Sequence, residues 1–184
     1  MKIFLTVIFF LTMIFNSTTA LANKTPVIIV QKFDQEVGAD IPVRDVGELV
    51  SDLLIEQFMD TGKFQIVDRK CLEDNRQKAE LQGSEVKFPK IDYEIYGKIK
   101  LDRVAGNIHV TCEMNILDKK KNNVIWSGKA VATENELEKI YSKLESRKRG
   151  KEIRCHDLMH IVTHKIVLDE LCQDPNLKKM FEGD

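Results

Sequence analysis

The sequence predicts an α/β (α+β) fold of order β-α-β-α-β-β-β-α-α, with a mixed, mostly antiparallel sheet and helices mainly on one face. Three observations predict it. A continuous apolar run at residues 26–33 is typical of a strand buried on both faces. Two-residue alternation from residue 91 to residue 116 indicates antiparallel strands with one covered face. Apolar side chains at helical spacing after residue 45 and near the C-terminus supply the covering layer.

The first 22 residues are expected to be a secretory signal peptide. Lys2 gives a positive start, residues 3–15 are apolar except for two threonines, and Ala20-Leu21-Ala22 has the small-x-small pattern of a cleavage site. The run is shorter than the ~20 residues that a spanning helix needs, although an uncleaved anchor is the alternative. We therefore expect cleavage near Ala22, a single domain at residues 23–184 without a membrane span, and a periplasmic or secreted location.

Composition excludes several classes of protein. The chain has 184 residues, of which 31% are charged and 43% hydrophobic, which is unlike collagen, low-complexity disorder or a multi-span membrane protein. Its formal net charge of -1 argues against nucleic acid as a partner, because binding to phosphates needs an excess of basic side chains.

The N-terminal half predicts a strand, a loop and a helix in succession. Residues 34–43 are expected to form a loop because they are polar and contain glycine and proline. Asp45 and Glu48 have the spacing of a capping box at the start of a helix. Gly62 is expected to end this helix in a left-handed conformation, and Phe64 to attach the next strand, residues 64–67, to the core.

The remaining elements follow from capping and turn signals. Asp68 is expected to cap a mostly polar surface helix. Gly106-Asn107 marks a hairpin turn, and Thr133 with Glu136 forms another capping box. The strands and helix that these signals delimit are residues 91–101, 108–116, 124–133 and, at the end, a helix at 153–171.

Four cysteines leave the disulfide pairing open: Cys71, Cys112, Cys155 and Cys172. Cys155 and Cys172 on one helix would be about 25 Å apart, too far for a bond. A Cys71–Cys112 bond is preferred in an oxidising compartment, and free buried thiols are the alternative.

Three segments of the chain carry a resemblance to a known family. They are residues 46–69, in which a helix ends at Gly62-Lys-Phe64 and the next strand at Asp68-Arg69; residues 91–99, with Tyr93 four residues before Gly97; and residues 110–131, with Ile125-Trp-Ser-Gly128. Together they resemble the CsgG-like and LpoB-like group of bacterial envelope proteins, whose members include a curli export protein and an activator of a penicillin-binding protein.

The resemblance covers residues 26–133 and leaves residues 134–184 as a C-terminal helical extension. It implies a non-enzymatic periplasmic adaptor or accessory factor that binds another envelope protein or a cell-wall polymer. Members are usually lipoproteins, whereas no acylatable cysteine follows the cleavage site here. Gly97 and Gly128 suggest bulges or close backbone approach, and Trp126 is expected to anchor the sheet edge to a helix.

His156, His160 and His164 recur every four residues, so on a regular helix they share an arc of about 80°. Such a stripe can bind zinc or copper, and a metal- or small-ligand-binding periplasmic protein is therefore the alternative function. Ile153, Val167 and Leu171 fall on the same arc, however, so the histidines could instead be structural. The sequence predicts no cofactor.

No sequence motif points to an enzyme, since nucleophile-elbow, P-loop, dinucleotide-binding and zinc-protease patterns are absent. The basic cluster Arg147-Lys148-Arg149-Lys151 is interpreted as complementing the dipole at a helix C-terminus, with contact to an anionic partner as the alternative. Lys119-Lys120-Lys121 is interpreted as a solvated hairpin turn. One acidic group near the first strand could hold a cation but matches no calcium loop: Asp34, Glu36, Asp40 and Asp45.

Overall fold

The structure, a computed structural model, describes residues 25–82, 89–143 and 151–177. The elements in these ranges are β1 (Val27–Val30), β2 (Asp34–Val37), α1 (Val46–Thr61), β3 (Gln65–Val67), α2 (Arg69–Gln82), β4 (Tyr93–Val104), β5 (Asn107–Asp118), β6 (Asn123–Thr133), α3 (Glu134–Lys143), α4 (Lys151–His164) and a π-helical segment, Lys165–Leu171, that continues α4. The α+β fold class is confirmed. The predicted signal peptide and Arg147, Lys148 and Arg149 lie outside the described residues.

The described strands form one mixed sheet in the order β3-β1-β4-β5-β6, with β2 beside β4. β1 is parallel to both β3 and β4, whereas β4, β5 and β6 form an antiparallel meander. A hairpin turn is present one residue earlier than predicted: Ala105 and Gly106 form it with positive φ, at 49° and 84°, and Asn107 already belongs to β5. None of the described helices is long and apolar enough to cross a bilayer.

β1 and β2 both pair with the same edge of β4, one after the other along the chain. Val30 pairs with Ile95 and Asp34 pairs with Lys98, so four steps on one strand oppose three on the other. One extra residue therefore bulges from the chain between β1 and β2. The prediction of a loop from residue 34 is wrong for Asp34–Val37, because backbone pairing makes a strand of side chains that are mostly exposed and polar.

A buried hydroxyl on α1 satisfies the polar backbone of this bulge. The Phe33 N–H donates to Ser51 Oγ at 3.1 Å. The Ser51 hydroxyl in turn lies 2.9 Å from the Gln31 carbonyl oxygen and 2.7 Å from that of Gly47. Since an unpaired buried N–H costs about 1–3 kcal/mol, Ser51 is what allows the bulge to lie beneath a helix.

The core lies between one face of the sheet and the helices. β5 alternates as predicted, with every second residue buried from Ile108 to Asp118. The largest buried side chains come from the sheet and the covering helices: Phe33, Phe58, Ile28, Leu54, Ile95, Ile99, Leu101, Met114, Ile116, Leu158, Met159 and Ile166. The opposite face carries ion pairs between neighbouring strands, such as Lys129 with Glu113 at 2.9 Å.

Three of the four predicted helix-end signals are confirmed. Gly62 follows α1 with φ 65°. Asp68 Oδ1 accepts the Lys70 N–H at 2.8 Å. At the start of α3, the Thr133 N–H donates to Glu136 Oε2 at 3.1 Å, and the Glu136 N–H donates to Thr133 Oγ1 at 3.4 Å.

The fourth signal, the capping box of Asp45, is wrong. Asp45 adopts a left-handed conformation with φ 52° and makes no capping hydrogen bond through its side chain. Glu48 pairs with Arg69 at 2.6 Å. The Glu48 carboxylate, which a capping box would use, is therefore bound to Arg69 from a more distant segment.

Close contacts with a neighbouring backbone and with aromatic rings explain the glycines at positions 97 and 128. A Cβ atom at Gly97 would overlap the Glu113 carbonyl oxygen and lie 2.6 Å from the Phe33 ring. At Gly128, a Cβ would overlap the ring of Trp126. The predicted close approach is present at both positions, and half-buried Trp126 packs against the core.

The preferred Cys71–Cys112 disulfide is wrong. Cys71 is exposed on α2, whereas Cys112 is buried within the sheet, and all four cysteines are thiols. Burial raises the pKa of the Cys112 thiol to about 12, so it remains protonated and unreactive.

Candidate functional site

An apolar groove lies beside β3, and we call it the edge groove. Its volume is about 600 Å³. Its lining comes from α1, β3 and the start of α2: Asp52, Ile55, Met59, Phe64, Ile66, Asp68, Arg69 and Lys70. Pockets of this size accommodate a few side chains of a partner.

Helix and strand periodicities together build the groove. Asp52, Ile55 and Met59 recur at helical spacing on one flank of α1, and Phe64 and Ile66 share one face of the β3 segment. Phe64 is held in place by an edge-to-face contact with buried Phe58, their ring centroids 5.3 Å apart. Met59 is 63% exposed, a large apolar surface for a helix that otherwise covers the core.

β3 presents backbone groups toward the outside of the sheet. The Gln65 N–H donates to the Pro26 carbonyl oxygen at 3.0 Å, so Gln65 faces the adjacent strand. Because successive residues of a strand point their N–H and C=O groups to opposite sides, those of Ile66 point away from β1. Within the described residues, no strand pairs with this side of β3.

A network of charges fixes one end of the edge groove. Glu48 binds Arg69 at 2.6 Å and Lys70 at 2.9 Å. The Lys70 hydrogen bond, with the nearby positive charge of Arg69, lowers the pKa of Glu48 despite partial burial. The same hydrogen bond, with the charge of Asp52, raises the pKa of Lys70. Both groups therefore stay charged near neutral pH, and the network holds the start of α2 against α1.

The predicted histidine stripe does not come together as a three-residue site. His156 and His164 are exposed and His160 is half-buried. The rings of His156 and His160 are in contact, with centroids 4.6 Å apart. Burial, and then the charge of His156, lowers the pKa of His160. Among the residues that the structure describes, no three histidine, cysteine or carboxylate groups converge as metal ligands.

The arc that the sequence predicts for this stripe is wrong beyond His164. Val167 and Leu171 are buried although His164 is exposed. The cause is the π-helical segment, in which the Cys172 N–H donates to the carbonyl oxygen of Val167, five residues earlier. This wider turn rotates later residues relative to the regular helix that the prediction assumed.

The acidic cluster near β1 is likewise dispersed. Glu36 pairs with Lys98 at 2.6 Å and Asp40 with Arg103 at 2.6 Å, on different parts of β4. In the turn at Lys119-Lys120-Lys121, Lys119 forms an ion pair with Glu94 at 2.6 Å. These groups act as separate surface ion pairs.

One ion pair yields a test of pH dependence. Lys165 Nζ lies 2.9 Å from Glu136 Oε1 and 2.9 Å from the Val131 carbonyl oxygen, joining α3, β6 and the π-helical segment. Burial opposes ionisation of Glu136, but its hydrogen bonds from Lys165 and Thr133 outweigh that effect and lower its pKa. A lowered pKa in the folded state means that the stability is present above the ordinary pKa of 4.5 and is lost as the pH falls below it.

We therefore expect Glu136→Gln to lower the free energy of unfolding by about 1 kcal/mol at pH 7, since the pair is partly exposed. The difference from the unsubstituted chain should decrease as the pH falls below 4.5, as measured by urea unfolding at a series of pH values from 7 downward. Exposed Glu170→Gln in the π-helical segment is the control and should change little. An undiminished difference at low pH would contradict the ion-pair explanation.

Comparisons with known proteins extend the fold beyond this chain. No family model matches the sequence, and no curated protein matches it. The solved structure of the hypothetical protein CT253 from Chlamydia trachomatis is similar, with a TM-score of 0.51, 11% identity, and coverage of 78% of this chain and 94% of that one. At this identity the likeness shows a shared fold.

Two bacterial envelope structures are similar in part. The C-terminal domain of LpoB from Salmonella enterica has a TM-score of 0.38 and 15% identity over 58% of this chain and 82% of that one. Lipoprotein GNA1162 from Neisseria meningitidis has a TM-score of 0.42 and 14% identity over 65% of this chain and 93% of that one. These scores are too low to assign the chain to either group.

Proposed function

We propose that this protein is an exported, non-enzymatic accessory factor of the bacterial envelope that binds an extended segment of another envelope protein in the edge groove. The groove, with its exposed Met59 and the outward backbone of Ile66, is the observation that carries the proposal. The signal-peptide pattern of residues 1–22 and the CsgG-like and LpoB-like sequence segments at residues 26–133 support the location and the class of partner.

An extended segment suits this geometry better than a compact ligand does. A strand laid beside β3 would exchange hydrogen bonds with the Ile66 N–H and C=O, and its alternate side chains would enter the groove between β3 and α1. Ile55, Met59 and Phe64 offer apolar contacts there, each of which contributes according to the area it buries. Because β3 has only three residues, affinity has to come mainly from these side-chain contacts.

The electrostatics of the groove favour binding over catalysis. A general acid or base works best when its pKa lies near the ambient pH. Here the pKa of Glu48 is lowered and that of Lys70 is raised, so the paired groups move away from that range. Charges held in fixed positions at the rim instead favour a bound segment with complementary charges.

Site-specific photo-crosslinking in intact cells tests the proposal. A photoreactive amino acid at position 59 should give a discrete adduct with another envelope protein, because Met59 lies in the groove. Ile55→Asp should abolish that adduct by placing a charge among the apolar contacts, at the cost of burying an unpaired carboxylate upon binding. Far-ultraviolet circular dichroism and thermal unfolding should show that this variant remains folded.

Leu81 supplies the matched control. It is apolar, 88% exposed and lies on α2 outside the lining of the groove. The photoreactive residue at position 81 should give no discrete adduct, and Leu81→Asp should leave the adduct at position 59 intact. Equal crosslinking from both positions, or none from position 59, would refute binding in the edge groove.

A further inference from the structure

A pair of histidines on α4 has the geometry of a metal chelate. His156 and His160 are one helical turn apart, with ring centroids 4.6 Å apart and ring planes inclined by 63°. The rings are therefore adjacent without stacking face to face. Imidazole is a preferred ligand of zinc, copper and nickel.

The separation of the rings agrees with the bond lengths of such a site. A metal ion about 2.1 Å from one nitrogen of each ring lies about 3.2 Å from each centroid, and an N–metal–N angle of about 90–110° then separates the centroids by about 4.5–5.2 Å. The observed 4.6 Å falls within this interval. In the chelate, the side chains rotate from this edge-to-face arrangement so that one nitrogen of each ring faces the ion.

The surroundings favour a bound cation. His156 is exposed, so an ion can enter from solvent. His160 is half-buried, so its ring is held beside that of His156 at the surface of α4.

We propose that His156 and His160 form a two-histidine surface chelate for one divalent transition-metal ion of the class that prefers imidazole. Because no third protein ligand converges here among the described residues, water fills the other coordination positions. His164 is left out of the chelate, since the ring contact joins His156 to His160. This site is separate from the edge groove, so its failure would leave the proposed function untouched.

Titration calorimetry with Zn²⁺ and Ni²⁺ on the purified protein, prepared without a histidine tag, tests the chelate. The unsubstituted chain should bind one ion of either metal and no Mg²⁺. His156→Ala and His160→Ala should each weaken binding about 100-fold, because one imidazole lacks the gain from a linked second contact. His164→Ala, the matched control on the same helix, should bind like the unsubstituted chain.

Electron paramagnetic resonance with one equivalent of Cu²⁺ provides a second readout. The spectrum should show two coordinated imidazole nitrogens in the unsubstituted chain and in His164→Ala, and one or none in His156→Ala. Absence of binding, or binding that survives His156→Ala unchanged, would overturn the proposal. So would an equal loss in His164→Ala, which would indicate a diffuse histidine surface. Circular dichroism of each variant establishes that it is folded. Because His156 is exposed, we expect His156→Ala to fold like the unsubstituted chain.

Discussion

Replacing Gly97 with alanine is expected to lower the free energy of unfolding by about 3 kcal/mol, the upper part of the usual range for overpacking. The added methyl group would overlap the carbonyl oxygen of Glu113, a backbone atom of the adjacent strand, and would lie 2.6 Å from the ring of Phe33. Neither group can move easily, because Glu113 lies within the β4–β5 ladder and Phe33 is buried at the bulge. Urea unfolding followed by circular dichroism measures the change.

Gly38→Ala is the control for the Gly97 substitution. A Cβ at Gly38 would lie 3.3 Å from the Asp40 carboxylate oxygen, and a shift of this exposed side chain by a few tenths of an ångström relieves the contact without breaking its ion pair with Arg103. We expect its effect on stability to stay within about 0.5 kcal/mol, as for most surface substitutions. Similar stability of the two variants would show that the Gly97 contact relaxes at little cost.

Most of this fold could be predicted from local sequence patterns, because residues close in sequence determine where its strands alternate and its helices begin and end. The alternation of β5 requires only that one face of a sheet is covered, and every second residue from Ile108 to Asp118 is buried accordingly. Gly62 ends α1 with φ 65° because glycine adopts this conformation without a Cβ clash. Capping by Asp68, and by Thr133 with Glu136, depends on atoms at most three residues apart.

The errors in the prediction arise where distant residues determine local structure. β2 is a strand because its backbone pairs with that of β4. The bulge before it depends on a hydrogen bond to Ser51 of α1. Asp45 leaves its capping role and Glu48 instead binds Arg69, a partner that no local pattern identifies. The π-helical segment changes the helical period within an otherwise regular pattern, so the predicted arc of the histidines ends at His164.

The edge groove could be predicted only in part. Ile55 and Met59 lie outside the apolar stripe that helical spacing predicts for the core side of α1, which is a signal for a second, exposed apolar flank. That stripe consists of Val46, Leu49, Val50, Leu53, Leu54 and Phe58. Their position beside Phe64 and Ile66 depends on β3 lying at the edge of the sheet. Strand order is a property of the whole fold, so the sequence leaves the partner of such a flank undetermined.

Gly47→Ala is expected to destabilise the protein by about 2 kcal/mol, although the same change in an exposed helix would stabilise it by up to about 1 kcal/mol. Gly47 lies in the first turn of α1, where a Cβ would overlap the Phe33 carbonyl oxygen. Its own carbonyl oxygen contacts Ser51 Oγ at 2.7 Å, and its N–H donates to Gln35 Oε1 at 3.0 Å. The substitution must therefore push α1 away from the bulge and stretch the hydrogen bonds that satisfy it.

Urea unfolding of Gly47→Ala, compared with Asp60→Ala at the exposed end of the same helix, separates these opposing effects. Asp60→Ala adds helix propensity without a new contact and should change stability by less than about 0.5 kcal/mol. Ser51→Ala should lower stability by about 1–3 kcal/mol, and the double substitution with Gly47→Ala by less than the sum, because both act on the Phe33 backbone. A stabilising Gly47→Ala, or full additivity with Ser51→Ala, would mean that α1 does not need close contact with the bulge to hold β1 and β2 in register.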